Sequence, residues 1–413
     1  MKTKVRKISV SLLALILCVV TTLSVTILTG EQTQSIIQVN AAEAEENRAV
    51  WFSYYDFEKY TKSVESNTAK NFRAYFKKVV NKCENRGLNR IIVQVRPCGD
   101  ALYQSKYFPT SEFIVKTGKQ GTKLQFDPLK IMVQEAHKKG MKIEAWINPY
   151  RVAFHTNYKK LAKSNQARKW HYSKSKSTKR NVLAYDGKLY YNPSKAAVRK
   201  LIINGVTEIA GNYDVDGIHM DDYFYPQFTT KNYKKVFDAA EYKKSQAKKD
   251  GKSIVTYRRN QVDLLVKGIK KAVKKANPDI VFGISPAGNI DNLTSKTAYY
   301  VNIKKWTNST EYVDYIAPQV YWGFHHRSVP FDEVVDRWVK MTNQKKVKLY
   351  IGIPAFKVGK PSLSSGSAEK KEFKNSNILT KMINYGRKKK VDGFMIFDYE
   401  DLNTKAAKKL SSL

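Results

Sequence analysis

From Arg48 onward, short apolar runs of strand length alternate with longer stretches whose apolar residues recur every three to four positions. The short runs are AVWFSYY (49–55), IIVQVR (91–96), KIEAWIN (142–148), VDGIHMD (215–221), IVFGIS (280–285), YIAPQVYW (315–322), KLYIGIP (348–354) and DGFMIFD (392–398). Between the first two, Phe72, Phe76, Val79, Val80 and Cys83 fall on one face of a helix that Gly87 closes. The stretch 127–140 repeats the scheme, with Asp127 as N-cap, Pro128 in the first turn and Gly140 as the stop. Eight strands alternating with helices predict a (β/α)₈ barrel. The competing arrangement is a doubly wound open sheet, which has fewer strands as a rule and a glycine-rich first turn that is missing here.

The longest irregular stretches, 97–127, 148–193 and 223–256, each directly follow a strand. In a barrel that places all three over the C-terminal face, where active sites are built. No linker or repeat divides the chain after residue 42, so 43–413 reads as one domain.

Side chains alternate along a strand, which splits each run into a helix-facing and a lumen-facing set. In VDGIHMDD, Ile218 and Met220 face the helices, while His219 and Asp221 face the lumen with Asp221 nearest the mouth. The same parity turns Glu144, Trp146 and Asn148 inward on the third run, and Gln94 and Arg96 on the second. Gln319 and Tyr321 share a face at the end of the sixth run, with Trp322 just beyond, and Asp398 and Glu400 share one at the rim of the eighth. Barrels also bury a layer of mutually satisfied polar groups, which is the expectation for the deep Glu144, Gln94 and His219. Asp221 sits where barrel enzymes carry their chemistry. Asp222 stays open between chemistry and capping the next turn. Tyr223, followed by Phe224, Tyr225 and Pro226, lies in a loop context that suits an exposed ring.

The chemistry of such a mouth is bounded by what is missing. There is no Gly-x-Ser-x-Gly elbow, His-Glu-x-x-His, Cys-x-x-Cys or phosphate-binding glycine loop, and only His325 and His326 of 6 histidines adjoin. No metal or cofactor is expected. Carboxylates, amides, a guanidinium and aromatic rings remain, and sugars ask for that mixture. Rings stack on sugar C–H faces, amides bond hydroxyls, and one carboxyl protonates a leaving oxygen while a second group steadies the oxocarbenium-like centre.

Composition adds a compartment. Residues 1–7 carry four positive charges, Ile8 to Leu28 is uncharged and mainly apolar, and Ala41-Ala42 precede the acidic EAEE. This is the layout of a secretory signal peptide over 1–42, with an uncleaved membrane anchor as the alternative. The formal charge is +38, and losing the leader's four cations and Glu31 leaves +35. On an exported chain that excess points to anionic wall polymers rather than nucleic acid, because the lysines are dispersed over helices and loops. Cys83 and Cys98 fall at opposite ends of a βα unit, too far apart for a disulfide, and read as free thiols.

The segments RAVWFS (48–53), QVRPCGDALYQS (94–105), FPTSEF (108–113), WINPYR (146–151) and YNPSKAAVRKLI (191–202) resemble a known family, the glycosyl-hydrolase-like family 10 proteins. So do YDVDGIHMDDYFYP (213–226), YRRNQV (257–262), FGISPAGN (282–289) and YIAPQVYW (315–322), in order across most of 48–400. The resemblance implies a (β/α)₈ barrel and glycoside hydrolase activity on bacterial cell-wall glycan, including peptidoglycan strands stripped of stem peptides. It matches Asp221 and Asp222 to the family's acidic pair, and Arg96, Asp100, Asn148, Arg151, Asn289, Gln319 and Tyr321 to its other polar positions. The segment also resembles the chitinase-type DGxDxDxE signature through Asp216, Gly217 and Asp221, but Tyr223 stands where the catalytic Glu would fall.

The expected catalytic pair is therefore Asp221 and Asp222. The expected substrate contacts are Arg96, Asp100, Asn148, Arg151, Tyr223, Asn289, Gln319, Tyr321, Trp322, Asp398 and Glu400. If Asp222 points away from the lumen, Asp398, Glu400 or Asp100 is the second carboxylate. A non-catalytic wall-binding barrel is the alternative function.

Overall fold

The computed structural model describes residues 45–412 except Tyr223, together with a two-residue antiparallel pairing of Leu23–Ser24 with Gln38–Val39. The leader expected over 1–42 otherwise lies outside the described residues. From Asn47 the chain forms one compact unit.

Eight strands close into a barrel. They are β1 (Asn47–Phe52), β2 (Arg90–Arg96), β3 (Lys142–Ile147), β4 (Gly217–Met220), β5 (Val281–Ile284), β6 (Tyr315–Ile316), β7 (Lys348–Pro354) and β8 (Gly393–Phe397). All neighbouring pairs are parallel, and β8 returns to β1 through Phe394 opposite Arg48. This is the (β/α)₈ barrel that the alternating runs predict. The strand read as 315–322 is ladder only at Tyr315–Ile316. Pro318 has no N–H to give, and Gln319 rejoins through single bridges to Ala287 and Gly352.

Among the described residues six helices form the outer ring, α1 (Ala69–Glu84), α2 (Pro128–His137), α3 (Ala196–Asn212), α4 (Ile254–Ala276), α5 (Phe331–Met341) and α6 (Ile378–Lys388), and a further short helix, Tyr54–Ser63, follows β1 directly. The expected eighth-fold regularity breaks after β5 and β8, where only four-residue helices such as Ile303–Trp306 and Lys405–Lys408 occur. The α1 face is the one read from sequence, with Phe72, Phe76, Val79, Val80 and Cys83 all buried. Thr68 accepts the Asn71 N–H at its start, and Asp127 does the same for Lys130 N–H in α2. Cys83 and Cys98 are both free and buried. Among the described residues no helix is long and apolar enough to cross a membrane.

The lumen has its own contents. Ala49, Trp51, Ile92, Trp146, Tyr315, Ala317 and Met395 pack inside it, separate from the main core under the helices. Glycine makes room for its large side chains: a Cβ at Gly283 would overlap the Tyr315 ring, and one at Gly217 would overlap the Glu144 carboxyl. At the base, Arg90 pairs with Glu144, whose other oxygen accepts the Tyr315 hydroxyl at 2.5 Å. Above them His219 lies 2.7 Å from the Tyr315 oxygen through Nδ1, and its Nε2 accepts the Trp51 indole N–H at 3.1 Å. An indole is a donor only, so the His219 proton sits on Nδ1.

The three long loops all leave the C-terminal ends of strands, and the second carries Arg151, Phe154 and Lys188 to the mouth. The second folds into an antiparallel sheet of its own, in which Lys188–Tyr191 pairs with both Arg151–Ala153 and Val182–Tyr185.

Candidate active site

The lumen opens at its C-terminal end into a cavity of about 300 Å³. Its floor is Trp51, Trp146, Gln94 and Ser285, and Asp221 stands just past the end of β4 among them. Asp221 is the only carboxylate among the described lining residues.

Asp221 is 3% exposed and firmly held. The Trp146 indole N–H donates to Oδ2 at 3.2 Å, and the Asn148 amide donates to the same oxygen. Asn148 is oriented in turn by Gln94, whose amide N–H₂ donates to Asn148 Oδ1, while Gln94 Oε1 accepts the Tyr54 backbone N–H at 3.1 Å. Each amide in this row accepts behind and donates ahead, so the row has one sense and delivers donors to Asp221. Gln94 thus does more than fill a deep polar layer.

Asp222 is half-buried and does not line the cavity. Loss of water around its carboxyl, and then the Asp221 charge, push its pKa up to about 7, with a hydrogen bond to the Gln319 side chain opposing them. Gln319 itself lines the cavity and donates to Ser285 O at 2.9 Å. The acidic pair therefore reaches the cavity on one side directly and on the other behind an amide.

Arg151 lines the opposite part of the wall, with Nε donating to Pro97 O at 2.9 Å, its guanidinium 4.6 Å from the Phe154 ring centre, and Asp221 within electrostatic reach. Tyr321 also lines it, packed against Phe397 and Phe356.

The other expected contacts lie elsewhere. A register shift between Gln94 and Arg96 sets Arg96 opposite Ile147, so the parity that turned it inward fails at that step. It lies 1% exposed over the Phe108 ring. Asp100 is buried beside Gln120, and burial pushes its carboxyl up to about 6. Asn289 caps the turn at 290–293, and Trp322 packs across Gly288. Phe397 rather than Asp398 faces the cavity. Asp398, raised to about 6 by burial and then by Asp401 and Glu400, lies on the side of Asp56, and Glu400 is an exposed partner of Lys59. Tyr223 lies outside the described residues.

Sequence reasoning missed Tyr54, Tyr55, Phe154 and Lys188, which all line the cavity. The apolar run 49–55 places the first pair at the end of a strand, whereas Ser53 and Asp56 at a spacing of three form the capping box that starts a helix at Tyr54. Phe154 and Lys188 come from the loop sheet, and no local pattern marks them. Among the described residues no group of three or more His, Cys, Asp or Glu is placed to hold a metal ion.

A closed parallel barrel with a carboxylate, oriented amides and aromatic rings at its C-terminal mouth has the architecture and the groups that glycoside hydrolysis uses. The Glycosyl hydrolase-like 10 sequence model matches residues 46–401, and the chain belongs to that family. It is 33% identical over 383 residues to glycosyl hydrolase YngK of Bacillus subtilis (strain 168), covering 88% of this chain and 70% of the relative. Glycosyl hydrolase DigH of Escherichia coli (strain K12) is 33% identical over 313 residues, 72% of this chain and 70% of the relative. The fold matches the PgaB (BpsB) glycoside hydrolase domain from Bordetella bronchiseptica with a TM-score of 0.55 at 12% identity, over 89% of this chain and 98% of that one. The protein is a glycoside hydrolase.

Proposed function

We propose that this glycosidase cleaves the N-acetylhexosamine backbone of bacterial cell-wall glycan, acting on peptidoglycan strands. The observation that carries the reading is the Asp221–Asp222 pair, one carboxylate held by donors in the cavity and its neighbour poised to hold a proton near neutrality. Asp221 faces the sugar and orients its acetamide as internal nucleophile. Asp222, set behind Gln319 at the wall, is the general acid and passes its proton to the leaving oxygen through one intervening water. The charge that builds on the sugar ring is met by Asp221 in a largely desolvated site, where electrostatic help is strongest.

Two cations support a strand that bears carboxylates. Arg151 and Lys188 both line the cavity, and no acidic side chain of the described residues pairs with Lys188. A strand freed of stem peptides presents an acidic group on every second sugar, which these two can meet. The leader and the net charge of +38 support export and retention on anionic wall polymers. Membrane attachment follows only if the leader stays uncleaved. Retention by charge is salt-sensitive, so 0.5 M salt releases the protein from isolated walls.

The test is release of reducing ends and soluble fragments from purified, peptide-free strands by wild type and Asp221→Asn. Undiminished turnover by the variant removes Asp221 from the reaction, and strands bound without fragment release leave a wall-binding barrel.

A further inference from the structure

The two sides of the cavity are finished differently. On the side of β6 and β8, Tyr321, Phe397 and Phe356 pack edge and face against one another, and the rings are at least partly covered. On the side of β1 to β3 two rings, Tyr55 and Phe154, face outward, with the half-buried Tyr54 and Phe113 beside them. Tyr55 is 56% exposed and Phe154 is 41% exposed, unusual values for large apolar side chains in this protein. They are not isolated. Tyr54 lies 4.1 Å from Tyr55, 4.6 Å from Phe113 and 5.7 Å from Phe154 between ring centres, with interplanar angles of 32°, 45° and 37°.

Three separate chain segments thus bring four rings, none steeply inclined to Tyr54, into one tilted surface. Tyr54 is held by its place at the start of the short helix Tyr54–Ser63 and by its backbone N–H donating to Gln94, and burial keeps it a neutral phenol. Tyr54, Tyr55 and Phe154 line the same cavity as Asp221, so the surface is continuous with the site. Leaving apolar rings in water costs stability unless something covers them. A pyranose ring does so well, because its C–H face stacks on an aromatic face while its hydroxyls stay wet.

We infer that Tyr54, Tyr55, Phe113 and Phe154 form an outlying subsite that stacks a sugar unit of the glycan beyond the bond being cut. This rests on the glycan reading above and adds a direction to it. The strand leaves the cavity over the loops that follow β1, β2 and β3, and the opposite wall gives no comparable platform. A chain long enough to reach the rings is held better than a fragment that fills the cavity alone.

The experiment compares KM on long peptide-free strands with KM on a short oligosaccharide of the same repeat, for wild type, Tyr55→Ala, Phe154→Ala and Tyr55→Trp. An aromatic contact is worth on the order of 1 kcal/mol, so each alanine variant raises KM for long strands about five- to tenfold more than for the short substrate. Tyr55→Trp restores the preference. Tyr172→Ala, an exposed ring outside the cavity, leaves both values as in wild type. Equal changes on long and short substrates overturn the subsite. Titration of strands into Asp221→Asn measures the platform without turnover. Ring-dependent binding of strands that wild type never cuts refutes the catalytic reading alone, and binding indifferent to the alanine variants refutes the platform.

Discussion

Asp221 and Asp222 follow His219 by two and three residues at the end of β4, and all three lose most of their water to the fold, yet the fold treats them oppositely. His219 is fully buried with a partner for each ring nitrogen: Trp51 and Ser285 at Nε2, and Tyr315 at Nδ1. No charge faces it directly, and burial pushes its pKa down to about 3. Burial acts on Asp222 as well, and with the Asp221 charge added to it the pKa rises to about 7. Burial with neutral partners makes a group inert, whereas burial beside a like charge makes it titrate where an enzyme works. The layer at His219 is a support, and the layer two residues higher is a working surface.

The largest effect that tests this contrast comes from the upper layer. Asp221→Asn removes the only carboxylate among the described cavity-lining residues and lowers kcat by about 10³-fold, or about 4 kcal/mol. Its thermal unfolding stays close to wild type, because an amide still fits among Trp146 and Asn148. A fall in kcat matched by loss of the folded state refutes the division between the layers. The lower layer reverses the pattern. Tyr315→Phe leaves Glu144 and His219 each short of one hydrogen bond inside the lumen, a loss of about 1–3 kcal/mol in urea unfolding. Its kcat on peptide-free strands stays within about twofold of wild type, since Tyr315 does not line the cavity. A large drop in kcat with unchanged stability shows that the network also tunes the site.

His219 adds a pH signature to the lower layer. Its folded pKa lies below the ordinary histidine value of about 6.5, so the unfolded chain binds more protons between the two. The stability it confers is complete above pH 6.5 and drains away as pH falls toward 3.

The two layers were unequally legible in the sequence. A period of two along β3 and β4 was enough to turn Glu144, Trp146, Asn148, His219 and Asp221 inward, because nothing interrupts those ladders. The same rule failed one step late on β2, where the register shift at Arg96 changes the parity. It also failed beyond Phe397, where the chain leaves the strand and enters a turn at 400–403, leaving Asp398 and Glu400 off the cavity. The aromatic platform was nearly invisible because its rings come from three loops, and loop contacts have no period. Only the Ser53–Asp56 box announced that Tyr54 and Tyr55 begin a helix.

The smallest effect is the sharpest probe of the contrast, because one change moves activity and stability in opposite directions. Asp222 has a folded pKa of about 7 against an unfolded value near 3.8, so the folded protein binds the extra proton between them. Its ionisation therefore costs stability as pH rises through that window, and the cost is fully present above pH 7. Asp222→Asn removes the charge, keeps an amide for Gln319 to meet, and gains on the order of 1 kcal/mol at pH 8, discounted for the carboxyl's partial exposure. At pH 4 the variant and wild type unfold alike, since Asp222 is then protonated in the folded chain. Activity moves the other way. Wild-type kcat/KM on peptide-free strands declines above pH 7 as the acid loses its proton, and Asp222→Asn is slow at every pH with that alkaline limb gone. If the limb survives in Asp222→Asn, the titrating acid is another group. If instead the variant is no more stable than wild type at pH 8, neither burial nor the Asp221 charge raises Asp222 in the folded chain, and the opposition between the two layers of β4 loses its physical basis.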